Sequence, residues 1–214
     1  MKRCILILLA IVPLMTFAQK QDPFQRGKNS LALQGDIGTT IFIGSDLSIF
    51  EHKVQKIYCS RSSADVSIRY AVYNDSSQYN NIGVGYGVTV GKNIVPISND
   101  ENVSLLSIGF AVNAMFNWSN HFGLAWGAEV DWAKYTNDFT YLDNDYTYKK
   151  NGTKIGCSFT AYFSPYSILR VGFGTKVGVY TFKDNDVIEG TDLRLPKTAH
   201  MGYVMPFITL ECNF

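Results

Sequence analysis

The stretch AHMGYVMPFITLECNF, residues 199–214, decides how the rest of the chain is read. Counting back from the end, Phe214, Cys212, Leu210, Ile208, Pro206 and Val204 share one parity. Asn213, Glu211, Thr209, Phe207, Met205 and Tyr203 share the other. A period of two is the signature of a strand, whose successive side chains point to opposite faces. One face is apolar to the final residue and the other mixes polar with bulky groups. That pattern suits a sheet with hydrocarbon on one side and a lined interior on the other.

Working outward, the same alternation recurs seven times. Strands are predicted over Ser30–Ile43, Asp65–Tyr73, Ile82–Gly91, Leu106–Phe116, Phe122–Ala133, Lys154–Phe163 and Leu169–Tyr180. In the third, Ile82, Val84, Tyr86, Val88 and Val90 alternate with Gly83, Gly85, Gly87, Thr89 and Gly91, so one face is bulky and the other nearly bare. Glycine weakens a strand, and its repetition on one face implies a close approach or a sharp bend there. A nucleotide-binding loop does not fit, because no helix pattern follows and no Lys-Ser/Thr pair ends the run. After the amino terminus no stretch approaches 18 consecutive apolar residues, which excludes crossing by helices.

The predicted connections fall into two alternating classes. Residues 74–79, 117–121 and 164–167 are short and rich in Asn, Ser or Pro, as turns are. Residues 44–64, 92–103, 134–152 and 183–198 read as long loops. Short turns on one rim and long loops on the other characterise transmembrane barrels. The fold class predicted is therefore all-β, an eight-stranded antiparallel up-and-down transmembrane β-barrel over residues 30–214. An even strand count puts both termini on the turn side. In hydrocarbon every backbone donor and acceptor must be paired internally, and strands achieve this only by closing. Phe110, Trp126, Phe159 and Phe173 are expected to face lipid. Tyr70, Tyr73, Phe116, Trp118, Phe122, Phe163 and Tyr166 near the turns, with Trp132, Tyr135 and Tyr180 near the loops, are expected to form interfacial girdles.

Residues 1–18 read as an export signal that is removed: Lys2 and Arg3 are followed by an apolar run from Ile5 to Phe17, with Thr16 and Ala18 before the cut. Residues 19–29 then form a short periplasmic lead-in. Loss of Lys2 and Arg3 reduces 19 basic residues to 17 against 18 acidic ones, which leaves no footprint for nucleic acid. Of the cysteines, Cys59, Cys157 and Cys212 survive, an odd number with room for one disulfide at most. No cofactor and no metal site is expected, since no CxxC or HExxH spacing occurs. Acidic pairs such as Asp143 with Asp145 and Asp184 with Asp186 read as solvated loop residues, because nothing completes a calcium-loop motif.

An eight-stranded barrel is just wide enough for side chains to fill it or to hold one small ligand. The charges on the inward parity are Asp36, Asp65, Arg69, Glu129, Asp131, Lys154, Arg170, Lys176 and Glu211. By height, Arg69, Arg170 and Glu211 fall towards the turns, Asp36, Glu129 and Lys176 near the middle, and Asp65, Asp131 and Lys154 towards the loops. Adjacent strands bring Arg170 to Glu211 and Asp131 to Lys154. Buried charge persists when paired, so the interior reads as a salt-bridged plug. An unfilled glycine-lined face on the third strand would instead give a narrow channel or a carrier for a small ligand.

Ile208, Leu210, Cys212 and Phe214 resemble the carboxyl-terminal assembly signal of bacterial outer-membrane barrels, with Cys212 and Pro206 as less usual occupants. The whole of residues 30–214 resembles the small eight-stranded outer-membrane barrels of the OmpX and OmpA-barrel type, loosely grouped with the porin family. The wall-binding second domain of the full OmpA arrangement is not covered. The resemblance implies a Gram-negative outer-membrane protein with periplasmic termini, surrounded by outer-membrane lipid and inserted by the barrel-assembly machinery. It implies a structural, adhesion or accessory-subunit role, with a membrane-protein or extracellular partner met through the long loops. Related barrels also include lipid-modifying enzymes, which need a His with a Ser in reach. His52, His121 and His200 have no Ser beside them on the same strand face, so the chain is expected not to be an enzyme.

Overall fold

The computed structural model describes residues 30–44, 56–73, 81–98, 101–117, 121–166, 169–183 and 198–213. The proposed signal and lead-in, the turn over 74–79, the stretch 184–197, His52 and Phe214 lie outside the described residues. Ten segments result: β1 Ser30–Gly38, β2 Ile41–Gly44, β3 Lys56–Cys59, β4 Ser62–Tyr73, β5 Asn81–Ser98, β6 Glu101–Asn117, β7 Phe122–Tyr141, β8 Asn144–Tyr166, β9 Leu169–Lys183 and β10 Thr198–Asn213. They form one antiparallel sheet, and β1 pairs with β10 to close it.

Two pairs of segments are single strands interrupted at one place, so the ring has eight walls. Along β10 the register continues unbroken from Gly38↔Phe207 to Ile41↔Val204. On the opposite edge, Gly38 faces Ser63 and Ile41 faces Cys59, so Ser60, Arg61 and Ser62 oppose only Thr39 and Thr40. This is a bulge, and its loosened backbone groups are recaptured locally. The Thr40 N–H is shared between Ser60 Oγ at 2.8 Å and Ser63 Oγ at 3.1 Å, and Thr40 Oγ1 donates to Asn93 Oδ1 at 2.7 Å. Ser60 N–H returns a bond to the Thr40 carbonyl, and Arg61 N–H donates to that of Ile94.

The stagger can be read from one row of partners. Starting at Val179, it passes through Ile155, Val130, Phe110, Val88, Ile68, Leu33 and Cys212, and returns to β9 at Leu169, ten residues lower. With eight strands this corresponds to a tilt of about 40°. Val179, Ile155, Val130, Phe110, Val88, Ile68 and Leu33 are exposed on the outer face, whereas Cys212 is half-buried and Leu169 buried.

The outer face is apolar over a belt and polar beyond it. On β7, outward positions run Phe122, Leu124, Trp126, Ala128, Val130 and Trp132, then change to Lys134, Thr136, Asp138 and Thr140. Those first eleven residues match the length a tilted strand needs to cross hydrocarbon, about 9–11. Phe110 and Phe173 are each 72% exposed, Trp126 65% and Phe159 39%, all on this belt. Ile208 and Leu210 point outward beside them, and Cys212 is half-buried. Cys59, Cys157 and Cys212 are free thiols.

Two expectations change. Residues 92–103 and 134–152 are not loops: β5 and β6 run on to Ser98 and from Glu101, and β7 and β8 meet at a two-residue turn. Leu142 and Asp143 there have φ of 50° and 62°, the left-handed pair of a type I′ hairpin. The first long loop is likewise shortened by β3 and by β4 starting at Ser62. The reason is that beyond the belt the pattern inverts, with apolar residues inside and polar ones outside, so polarity that suggested loops belongs to the wet face of a continuing strand. The second change concerns the girdle. Phe116, Phe122, Phe163 and Trp132 do lie outward, but Tyr135 and Tyr180 point inward, 3% and 1% exposed.

Trp126 sits at mid-height of the belt, its ring 6.2 Å from that of Phe159. Trp126→Arg is expected to destabilise the protein folded in a bilayer by about 2–4 kcal/mol, measured by reversible unfolding in vesicles; an unchanged value would place this face away from lipid.

Candidate functional site: the filled interior

Inward positions combine small residues with ionisable ones, because a side chain reaching across a narrow lumen needs bare backbone on the opposite wall. A Cβ built on Gly91 would sit 2.2 Å from Asp65 Oδ1, and one on Gly156 2.2 Å from the Tyr203 hydroxyl. Gly85 lies under the Arg69 side chain in the same way. The glycine face of β5 is therefore covered by Asp65 and Arg69.

The nine ionisable groups, each at most 6% exposed, sort into three clusters. Nearest the turns, Glu211 bridges two guanidiniums: Arg170 Nη1 donates to its Oε1 at 2.7 Å, and Arg69 meets its Oε2. The Arg170 guanidinium lies 5.1 Å from the centre of the Tyr162 ring. In the middle, Lys176 Nζ lies 2.5 Å from Asp65 Oδ2 and 2.8 Å from Asp36 Oδ2, and Gln34 donates to the other Asp36 oxygen at 2.8 Å. Further up, Lys154 Nζ lies 2.7 Å from Glu129 and 3.1 Å from Asp131. Tyr203 donates to Glu129 at 2.8 Å and Thr89 to Asp131 at 2.9 Å.

The pairs Arg170 with Glu211 and Lys154 with Asp131 are those expected from neighbouring strands. Two heights differ from expectation: Asp65 joins Asp36 on Lys176 instead of lying near the loops, and Glu129 joins Asp131 on Lys154 instead of the middle. Register explains the first, because Asp65 is the direct partner of Asp36 on the neighbouring strand; reach explains the second, because Lys154, which faces Asp131, extends to Glu129 two residues along the same strand.

Above the charges lies an aromatic and aliphatic layer that sequence reading did not assemble. Phe42, Tyr135, Phe139, Tyr180, Phe182 and Tyr203 pack with Val95, Val103, Leu105, Met201 and Met205. The Tyr180 and Phe182 rings stack 6.0 Å apart, and Asn93 donates to the Tyr180 hydroxyl at 3.3 Å. Within this layer Asn137 donates to Glu101 at 2.6 Å and to the Tyr135 hydroxyl at 2.9 Å. Lys150 Nζ lies 5.1 Å from the Tyr148 ring centre. The signal that would have revealed the layer is the inward parity of Val95, Val103, Tyr135 and Phe139, continuing without a break past the presumed strand ends.

A cavity with about 30 Å³ of free volume remains between the turn-end and middle clusters, lined by Arg69, Arg170, Tyr162, Thr160 and Thr209. That is room for about two waters. The Thr209 hydroxyl, buried beside it, makes no hydrogen bond among the described residues.

The two described histidines stand apart from this interior. His121, exposed beside a turn, has Nδ1 2.9 Å from the Ser164 carbonyl. His200, exposed on the outer face, has Nδ1 3.2 Å from Thr181 Oγ1. Asp145 accepts a bond from Thr140 at 2.9 Å. Among the described residues, no three His, Cys, Asp or Glu side chains are placed to hold a metal ion.

No protein-family model matches the sequence, and no curated protein matches it. Solved structures are similar to this chain to different degrees. Neisserial surface protein A superposes with a TM-score of 0.52 at 11% identity, covering 86% of this chain and 97% of that one. The outer-membrane protease OmpT of Escherichia coli gives 0.46 at 6% identity, over 87% and 96%. Ail, the attachment invasion locus protein of Yersinia pestis, gives 0.40 at 8%, over 87% and 99%. The likeness to the Neisserial protein is one of architecture, and the fold of this chain is that of the small eight-stranded outer-membrane barrels.

Proposed function

We propose that the chain is an integral outer-membrane protein with a structural, adhesion or accessory-subunit role, acting through the surface it presents beyond the belt at the hairpin end. The observation that carries this reading is the occupied lumen: three ion clusters topped by an aromatic layer, with a cavity of about 30 Å³ between the lower two clusters. A closed wall and an interior occupied by side chains favour the outside and the β7–β8 hairpin as the surfaces available for work. In this reading the turn end and both termini face the periplasm, and the hairpin end faces outward. Ile208, Leu210, Cys212 and Phe214 serve the assembly machinery. The chemistry of the exposed His121 and His200 suits hydrogen bonding at the rim, and we assign no enzymatic step. The channel reading loses its basis where Asp65 and Arg69 cover the bare face of β5.

Refolded protein in a planar bilayer is expected to give no stable single-channel current; a reproducible conductance altered by Lys176→Glu would overturn the closed plug. Orientation is tested by Leu142→Cys at the hairpin tip, where the native side chain is 76% exposed. A membrane-impermeant maleimide added to intact cells should label this variant well above the parent protein, and equal labelling would refute the outward placement. For the plug, Glu211→Ala should cost more than Arg170→Ala, because Glu211 serves two guanidiniums. Breaking such a buried pair costs about 3–5 kcal/mol. The double variant should lose less than the two single losses added together, measured by unfolding in vesicles; strict additivity would mean that the two side chains are not partners.

A further inference from the structure

On β9 the inward positions run Arg170, Gly172, Gly174 and Lys176, so two bare residues separate two cations on one wall. Both cations line the cavity of about 30 Å³ between the lower ion clusters. The neighbouring strand β10 sets Phe207 opposite Gly174, Thr209 opposite Gly172 and Glu211 opposite Arg170. A Cβ on Gly172 would sit 3.0 Å from Thr209 Cγ2, and one on Gly174 would sit 2.7 Å from Phe207 Cζ. The bare stretch therefore makes room for Thr209 and Phe207, and Thr209 stands one inward step from Glu211.

The charge around this space is one-sided. Arg69, Arg170 and Lys176 line it, with Glu211 as the single carboxylate. Lys176 already holds Asp36 and Asp65. The two guanidiniums share Glu211, Arg170 on Oε1 and Arg69 on Oε2. Among the described residues, that cluster sets two buried cations against one anion, and buried charge is costly unless compensated. The Thr209 side chain is 4% exposed, and its hydroxyl has no hydrogen-bond partner among the described residues. A buried polar group in that condition calls for a water or an ion beside it. Met115 and Phe207 add polarisable apolar surface to the lining.

Three kinds of occupant can be weighed against these features. A metal cation would meet three like charges. Water would satisfy Thr209 but leave the charge of the lining unanswered. An anion does both, since Thr209 can donate to it and a low-dielectric interior strengthens its attraction to the guanidiniums. Room for about two waters is room for one small ion, not for a large organic anion.

We propose that this cavity binds one small monovalent anion of chloride's size, placed between the Arg69 and Arg170 guanidiniums with the Thr209 hydroxyl donating to it. The ion supplies the second negative charge for two guanidiniums that share one carboxylate. The site depends on the closed barrel and its interior clusters, not on the role proposed for the hairpin end.

The test uses refolded protein crystallised in sodium bromide, with the anomalous scattering of bromine locating the ion. One peak is expected within hydrogen-bond reach of Thr209 Oγ1. In parallel, unfolding in an uncharged detergent is followed as chloride replaces gluconate at constant ionic strength. Stability should rise saturably, as it does with any ligand that binds only the folded state. Thr209→Val keeps the shape of the side chain and removes the donor. It should raise the half-saturating chloride concentration about tenfold, the loss of one hydrogen bond to a charged group, while stability in gluconate stays near that of the parent. General effects of the salt on solvent would act equally on both proteins, so an unchanged chloride dependence in the variant would overturn the proposal. A cavity that holds water alone in the bromide crystals would overturn it as well. The diffraction result needs no variant, so it decides the matter even if Thr209→Val fails to refold.

Discussion

Everything in this molecule follows from closing a sheet on itself between β1 and β10. A strand wall exposed to hydrocarbon has no water to satisfy its edges, so the last strand must find the first. The ten-residue stagger of that closure fixes the tilt, and tilt with strand number fixes the width. Width then dictates the lumen: room for side chains or one small ligand, and too wide to be left empty. Filling it is a packing problem solved between opposite walls, with Gly91 giving way to Asp65 and Gly156 to Tyr203.

Using charges for that filling has a cost and a return. Each buried ion must be compensated, and pairs such as Lys176 with Asp36 and Asp65 do so across strands far apart in sequence. Replacing such pairs by apolar groups is often neutral or stabilising in other proteins, so their contribution here is better sought in register. Because side chains alternate strictly, a slip of one residue would turn a strand's inward charges to lipid and its belt residues to the lumen. The three clusters thus penalise every misaligned closure, while the aromatic layer above them supplies ordinary apolar burial.

Alternation made the eight walls, the outward belt and the nine inward charges legible in the sequence, because parity survives whatever the loops do. What could not be read was anything that depends on height or on reach. Asp65 was misplaced along the axis because parity does not reveal the register that sets it opposite Asp36, and Glu129 because the Lys154 side chain spans more than one residue level. The strand ends over 92–103 and 134–152 were missed because leaving the belt inverts the polarity of both faces, and the inverted pattern of Lys134, Tyr135, Thr136, Asn137 and Asp138 looks like a loop to a reader expecting apolar residues outside. Tyr135 and Tyr180 were placed in a girdle for the same reason: aromatic residues near a rim suit either face, and only the continued parity tells which. The bulge at Ser60 left no sequence signal beyond a run of small polar residues.

The continuation of β7 and β8 to the Leu142–Asp143 turn has a thermodynamic consequence for whatever meets it. A segment hydrogen-bonded along its length, with Phe139 and Tyr146 stacked at 5.6 Å, has already surrendered its conformational freedom during folding. Contact with it forfeits little further entropy, so recognition there would resemble docking against a fixed post, with a small ordering penalty and an affinity set by surface complementarity.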